Sequence, residues 1–393
     1  MKKKLNVLFI SSWYPNRLHP TLGNFVQKHA EIINPLVNLY VLTVIPDKNL
    51  KDDFDIDQQI INGVNTTIVY YPKIKTSFPI VSQTKKYHNL LTAYKRGYES
   101  ILEQNPINFD ITHCNITYQS SVFARHLKSK FNIPYIITEH STVFSPHKNE
   151  YKKLKFLHQL IIKKGIKNAS YVTTVSEHLK QSMLKLGLFN TYKVIPNVVN
   201  TSIFKPSKST IEKKGKAVIL HISHMGNQQK NSVEMLKVIK KISTYRTDFV
   251  FKIIADDNIE STKALIKKFN LSQFVILEST KTTEQIASEM NKASFFLLYS
   301  NYETFSVVLA EAWCSGLPAV YSKCGGLTDI HNRNLGVQIE VNNNLQLEKV
   351  LDNMLNTYHH YNPYVISEIA RTKFEASSVG NQFLNLYKKV IKH

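Results

Sequence analysis

The chain has 393 residues, too long for one ordinary hydrophobic core, and its 43% hydrophobic and 20% charged residues exclude a disordered or low-complexity protein. No run approaches the ~20 apolar residues of a membrane span, and three cysteines without metal-ligand or CxxC spacing exclude a disulfide framework. Lys and Arg number 50 against 29 Asp and Glu, a net charge of +21 that suits a polyanion of any kind or simply a Lys-rich surface.

The basic start Met1-Lys2-Lys3-Lys4 leads into a short apolar run, Leu5 to Ile10, then polar Ser11-Ser12 and Trp13-Tyr14-Pro15 without a small-residue cleavage site. This predicts a first buried strand rather than a signal peptide, and a cytoplasmic protein. A helix over 23–33 and a strand over 39–44 follow. Next come a strand over 107–113, a helix near 121–130, and strands over 135–138 and 171–175. The second half restarts the alternation. It has strands over 217–222, 249–254, 274–277, 295–298 and 319–321, with helices over 231–244, 261–269 and 307–314. Short β-branched runs alternating with amphipathic helices predict βαβ units on parallel sheets. Pro196 to Ser207 and the polar run Lys208 to Lys216 read as the linker, and Ser378 to Ile391 as a last amphipathic helix able to cap either half. The expected organisation is an N-terminal domain over 1–200, a C-terminal domain over 201–375, and a helix over 376–393 packing back on the first.

The sharpest motif is Tyr302-Glu303-Thr304-Phe305-Ser306 through Glu311 to Gly316-Leu317-Pro318. Gly316 and Pro318 are helix terminators, so a helix is expected from about Thr304 to Ser315. On that helix the two glutamates would lie about 12 Å apart along the axis, roughly on one side. So spaced, they cannot share one metal, but they can hold both ends of an extended polyhydroxylated ligand, with the helix N-terminus offering amides to an anion. Two glutamates on an exposed helix face would be the bland reading, which the Val, Leu, Ala and Trp around them disfavour.

This motif resembles the Glu-x7-Glu signature of retaining glycosyltransferases of family 4, the group 1 glycosyltransferases. The resemblance implies an α/β protein of GT-B fold, two Rossmann-like domains with parallel sheets facing a central cleft, the N-terminal one (1–200) on the acceptor side and the C-terminal one (201–375) binding the nucleotide sugar. It implies that Glu303 contacts the transferred sugar, that the amides of Thr304, Phe305 and Ser306 hold sugar and diphosphate, and that Glu311 contacts the nucleotide ribose. The family places an Arg and, six residues on, a Lys against the donor diphosphate. Lys230 stands at the second position; the first is His224, a departure, since imidazole is charged only below its pKa of ~6.5 unless a phosphate raises it. Gly23, ending the loop after the first strand, matches the glycine that lets backbone approach the donor phosphate or acceptor. His140, at a strand's carboxyl end in Thr138-Glu139-His140-Ser141, matches a histidine near the sugar. Pro196-Asn197-Val198-Val199-Asn200 resembles the inter-domain turn and is given no chemistry.

The implied activity is retaining, metal-independent transfer of a hexose or N-acetylhexosamine from a UDP- or GDP-sugar to a glycan or lipid-linked acceptor. The family context is cell-envelope polysaccharide synthesis: lipopolysaccharide or capsule. No cofactor and no metal are expected. Lys230, helix amides and His224 would take the leaving group's charge, and domain closure would align the acceptor and exclude water.

Two other signals bear on the assignment. Asp52-Asp53-Phe54-Asp55-Ile56-Asp57 contains D-x-D, a metal motif in GT-A enzymes, but reads here as a solvated acidic loop. Asp256-Asp257-Asn258 reads as a turn. The basic stretches Thr84 to Gln104 and Tyr151 to Lys167 suit an anionic membrane surface, making the protein peripheral on the inner face of the cytoplasmic membrane. Three alternatives remain open on sequence alone. They are a GT-B nucleotide-sugar epimerase, which releases free sugar; a non-catalytic basic binding protein; and a nucleic-acid binder, disfavoured because the charge is dispersed and no such motif is present.

Overall fold

The computed structural model describes residues 3–51, 53–73, 79–146, 149–207, 215–225, 228–255 and 257–392. The chain divides into two compact units, Met1–Val198 with Ser377–His393, and Val199–Ala376.

In the first unit the elements run β1 (Asn6–Ser11), α1 (Asn24–Ile33), β2 (Asn38–Asp47), β3 (Asp55–Ile61), β4 (Val64–Pro72), α2 (Pro79–Gln104), β5 (Ile111–Asn115) and α3 (Thr117–Phe131). They continue with β6 (Tyr135–Glu139), α4 (Glu150–Lys153), α5 (Phe156–Asn168), β7 (Tyr171–Thr174), α6 (Glu177–Lys185) and β8 (Tyr192–Val194). The sheet has the order β3-β4-β2-β1-β5-β6-β7-β8. Every pairing is parallel except β3 with β4. The period-2 alternation of a strand sends Val7 and Phe9 of β1 to one core and Leu8 and Ile10 to the other. Both faces are covered, so the central strands are mostly apolar, and the polar side chains within them, such as Thr43 of β2 and His113 of β5, are buried.

The β3–β4 hairpin departs from the sequence reading, which took Asp52–Asp57 as a loop. Asn62 and Gly63, both at positive φ (50° and 80°), make the tight turn that joins two antiparallel strands. Asp55 and Asp57 therefore lie in an edge strand, and Asp55 pairs with Arg17 at 2.6 Å. Asp52 lies outside the described residues.

The second unit runs β9 (Ala217–Ile222), α7 (Ser232–Ile242), β10 (Phe249–Ile254), α8 (Ile259–Lys268), β11 (Val275–Glu278), α9 (Thr283–Lys292) and β12 (Phe295–Leu298). It continues with α10 (Val307–Cys314), β13 (Ala319–Ser322), β14 (Gly336–Ile339), α11 (Asn344–Thr357) and α12 (Pro363–Phe374). All pairings of its sheet, β11-β10-β9-β12-β13-β14, are parallel. Its core joins Ile219, Phe251 and Leu297 of the strands to Leu236 and Ile239 of α7 and Leu351 of α11.

The last helix, α13 (Ala376–Ile391), returns to the first unit. Val379, Phe383, Leu386, Tyr387 and Val390 form its apolar stripe and pack on Phe9, Ile111 and Ile136 beside α1. Of the expected linker, Lys208 to Lys214 lie outside the described residues. The three cysteines are unpaired and buried. Among the described residues no helix is long and apolar enough to cross a membrane.

Candidate active site

The second unit brings Glu303 and Lys230 together. After β12 the chain leaves the sheet at Tyr299 and turns, and the Glu303 N–H donates to the Cys324 carbonyl at 3.0 Å, an isolated parallel bridge to the Gly325 segment after β13. Gly326, at φ 62°, lies directly under this turn. A Cβ there would stand 2.6 Å from the Phe305 carbonyl oxygen and 3.1 Å from Glu303 Cβ, so only glycine admits the approach.

The Glu303 carboxylate is buried, 8% exposed. Its Oε1 accepts from Lys230 Nζ at 2.6 Å and from Ser300 Oγ at 2.8 Å. Gln229 Nε2 lies 3.5 Å from Oε2 and donates to the Tyr302 carbonyl at 3.1 Å, while the Gln229 carbonyl accepts from Asn301 N at 2.7 Å. The β9–α7 loop is thus stitched to the β12–α10 turn on both sides of the carboxylate. A buried charge pair in such geometry is costly to break, because removing one partner strands the other in low dielectric. Burial, with Glu303 next, pushes the Cys324 thiol up to about 12, so it stays protonated and inert.

The helix carrying the motif begins later than its sequence suggests. α10 starts at Val307, and Ser306 precedes it at φ 78°, ψ 78°. Helical geometry cannot extend back through a left-handed residue, so Glu303 lies in the bridge segment, not on the helix. The axial estimate of about 12 Å for the two glutamates, which assumed one continuous helix, therefore does not hold. Thr304 is half-buried, while the Phe305 ring is core, edge-on to Phe374 at 5.6 Å. Ser306 Oγ is buried without a hydrogen-bond partner among the described residues, and it does not cap α10. A strained non-glycine residue with an orphan hydroxyl at a helix N-terminus marks a place where the fold tolerates a cost. Glu311 is half-buried on α10 near Cys314.

On the neighbouring loop His224 is exposed, and Gly226 and Asn227 lie outside the described residues. His221, at the end of β9, is buried. Its Nδ1 lies 2.8 Å from the Leu297 carbonyl and its Nε2 2.6 Å from Ser223 Oγ. Burial first, and Lys230 less strongly, lower its pKa to about 4, so it is neutral and structural.

In the first unit Gly23 stands at φ 71° before α1, and a Cβ there would meet the Trp13 carbonyl oxygen at 2.5 Å. Packing inside the unit already accounts for the glycine. His140 is 5% exposed, packed on Phe25 at 4.8 Å and His29 at 5.4 Å, and neither ring nitrogen has a hydrogen-bond partner among the described residues. Burial, then His29 and His113, hold its pKa well below the usual histidine value. Its backbone is fixed by Glu139, whose Oε1 accepts from the amides of His140 and Ser141, both at 2.9 Å, and whose Oε2 accepts from Thr117 N at 3.0 Å and Thr117 Oγ1 at 2.6 Å. Glu139, Gln229 and Ser300 were not singled out in the sequence. Glu139 alone carried a visible signal there, as a charge ending an apolar strand.

The other expected features fall elsewhere. Asp256 lies outside the described residues, and Asn258, at φ 54°, precedes α8 in a turn. The basic stretch 84–104 belongs to α2, and Tyr151–Lys167 breaks into α4 and α5.

Comparison with known proteins fits this geometry. The family model for glycosyl transferases group 1 matches residues 203–367, and that for glycosyltransferase family 4 matches residues 53–203. A Bacillus subtilis (strain 168) glycosyltransferase provisionally assigned to teichuronic acid biosynthesis is 21% identical over 413 aligned residues, covering 99% of this chain and 99% of the relative. Among solved structures, sucrose-phosphate synthase of Thermosynechococcus elongatus superposes with a TM-score of 0.75 at 16% identity, covering 99% of this chain and 100% of that one. HepE of Anabaena, solved in complex with UDP, does so with a TM-score of 0.73 at 14% identity, covering 98% and 100%. The two family models meet at residue 203 and together span residues 53–367, and the chain belongs to the group 1, family 4 glycosyltransferases of GT-B fold.

Proposed function

We propose that this glycosyltransferase moves a hexose or N-acetylhexosamine from a UDP- or GDP-sugar to a glycan or lipid-linked glycan during cell-envelope polysaccharide synthesis, with retention at the anomeric carbon and without a metal. The observation that carries the reading is the buried pair of Lys230 and Glu303 beside the α10 N-terminus. It sets an ammonium and a carboxylate side by side next to the turn that leads into α10, the groups needed for a diphosphate and a sugar hydroxyl.

In this reading Glu303 accepts from the transferred sugar, Glu311 from the nucleotide ribose, and His140 serves the sugar near its reacting centre. Lys230, His224 and the amides of Thr304, Phe305 and Ser306 receive the diphosphate. An ammonium carries three donors and can bridge a carboxylate and a phosphate oxygen at once. As the glycosidic bond lengthens toward an oxocarbenium-like transition state, negative charge grows on the diphosphate. Lys230 and the prearranged amides then stabilise it more than they stabilise the ground state. Gly23 holds the first-unit loop against Trp13. The UDP held by HepE and the provisional envelope role of the Bacillus relative support the donor and pathway class.

A panel of UDP- and GDP-sugars tested for thermal stabilisation of the protein selects the donor, since a ligand of the folded state raises Tm. NMR of the product's anomeric proton then decides retention. Free sugar released without acceptor would favour the epimerase instead, and no stabilisation by any donor would sink the reading.

A further inference from the structure

The α4–α5 elbow presents an apolar, basic wedge that the transfer chemistry does not use. Phe156, first residue of α5, is 80% exposed, the most exposed large apolar side chain among the described residues, and Leu157 beside it is 40% exposed. Lys152, Lys153 and Lys155 flank them, all exposed, and none pairs with a carboxylate among the described residues.

The elbow is fixed. Tyr151 is buried against Phe144, Gln159 Nε2 donates to the Leu154 carbonyl at 2.9 Å, and the Lys155 carbonyl accepts from His158 N at 2.9 Å. A Phe held out to water by ordered backbone is not a fraying loop tip. The rest of α5 continues the charge: Lys163 and Lys167 lie seven and eleven residues after Phe156, on the same helical stripe. Neighbouring α3, tied on by Lys128 Nζ donating to the Asn168 carbonyl at 2.8 Å, adds Arg125, Lys128 and Lys130. Neither helix contains an acidic residue. Behind the elbow, Leu157 lines a cavity of about 280 Å³ with Lys73 and Tyr87, and Leu154 lines a second of about 270 Å³ with Trp13 and Phe144.

We infer that this elbow docks on an anionic lipid bilayer, Phe156 and Leu157 entering the headgroup boundary while Lys152, Lys153 and Lys155 meet acidic headgroups. Apolar burial supplies the insertion and the lysines the preference for negative charge. Docked so, the two cavities open beside the membrane surface, where a lipid-linked acceptor resides. The inference deepens the proposed lipid-linked acceptor and rests on it for its purpose, but not for its test.

The experiment is sedimentation of the full chain with vesicles of phosphatidylglycerol and phosphatidylethanolamine, or of phosphatidylcholine alone, at low and high salt. The wild-type protein binds the anionic vesicles, weakly at high salt, and leaves the neutral ones. Phe156→Ser weakens partitioning about tenfold, and K152E/K153E/K155E abolishes it. K267E/K268E on α8, exposed in the second unit, leaves it unchanged. Melting temperatures of these surface variants confirm folding, and donor-induced stabilisation, which needs no vesicle, reports separately on the transferase reading. Equal binding by Phe156→Ser and wild type, or equal loss in the α8 control, overturns the wedge. A protein dimeric by light scattering and made monomeric by Phe156→Ser overturns it too, by showing a second copy on the elbow.

Discussion

Lys230 Nζ lies 2.6 Å from Glu303 Oε1, so the groups proposed to meet the donor's diphosphate and its sugar hold each other, with Ser300 Oγ completing the cage at 2.8 Å. The cation is held in place before any diphosphate arrives. Little rearrangement is then needed at the moment of reaction, which is how an enclosed polar site outperforms water.

Lys230→Ala and Glu303→Gln should each lower kcat/KM by about 10²–10³, the range for losing one prearranged charge-stabilising contact. Lys230→Ala should also lower Tm, since it strands the Glu303 carboxylate. The check is single-turnover transfer beside calorimetry. Wild-type turnover in folded Glu303→Ala would remove Glu303 from the proposed machinery.

Ser300→Ala should separate the two halves of the donor. The serine touches Glu303 alone of the proposed donor groups, so affinity for UDP or GDP stays while the extra affinity of the nucleotide sugar falls by about tenfold, the worth of a hydrogen bond to a charged group. Titration calorimetry with both ligands reads the difference. A uniform loss for both would make Ser300 a folding residue only.

Gly326→Ala should disturb catalysis more than its size suggests. Positive φ costs an L-residue about 1–2 kcal/mol, and the added carbon would push on the Phe305 carbonyl and Glu303 Cβ. Reduced Tm with transfer falling further than in Ser300→Ala is the expected outcome.

Acid should unfold the protein early. His29 and His221 have pKa values lowered from 6.5 to about 4, by burial above all, and His113 and His140 are lowered as well. Between these limits the unfolded chain binds more protons than the folded one. Stability is therefore full above about pH 6.5 and declines toward pH 4, each histidine contributing up to about 1.4 kcal/mol per pH unit. Tm against pH checks this; a flat profile from pH 6.5 to 5 would contradict it.

If the transfer is metal-free, excess chelator leaves turnover unchanged, and added Mg²⁺ or Mn²⁺ does not raise it. Loss of activity on chelation, restored by metal, would reverse that part of the proposal.

How legible the fold was depended on burial. Ala217–Ile222, Phe249–Ile254 and Phe295–Leu298 were read residue for residue because strands covered on both faces are near-continuous apolar runs, interrupted here only by His221 and Lys252. β3, Asp-Ile-Asp-Gln-Gln-Ile-Ile, hid its pairing because an edge strand needs no apolar run, although Asn62-Gly63 was its turn signal. β14, Gly-Val-Gln-Ile, alternates a glycine and a glutamine with its two apolar residues, so no apolar run marks it. At the site, Glu303 and Lys230 were visible by motif, yet their contact spans 73 residues of sequence and only the fold could supply it. The helix start was misplaced because nothing local announces that Ser306 adopts a left-handed conformation. Gln229 acts through neighbours brought from another loop, and Ser300, though in the same turn as Glu303, carries no motif of its own.

The path of the chain, which closes the first unit with its final helix, imposes an order on biosynthesis. Residues 199–376 form a contiguous body that can mature as soon as they emerge, whereas the nascent first unit lacks the covering for Phe9, Ile111 and Ile136 until Phe383 and Tyr387 are made. Throughout translation, then, an apolar sheet face waits for a helix that follows the whole of the second unit. A chain cut before Ser377 would carry a sound second unit and a first unit whose sheet face remains sticky.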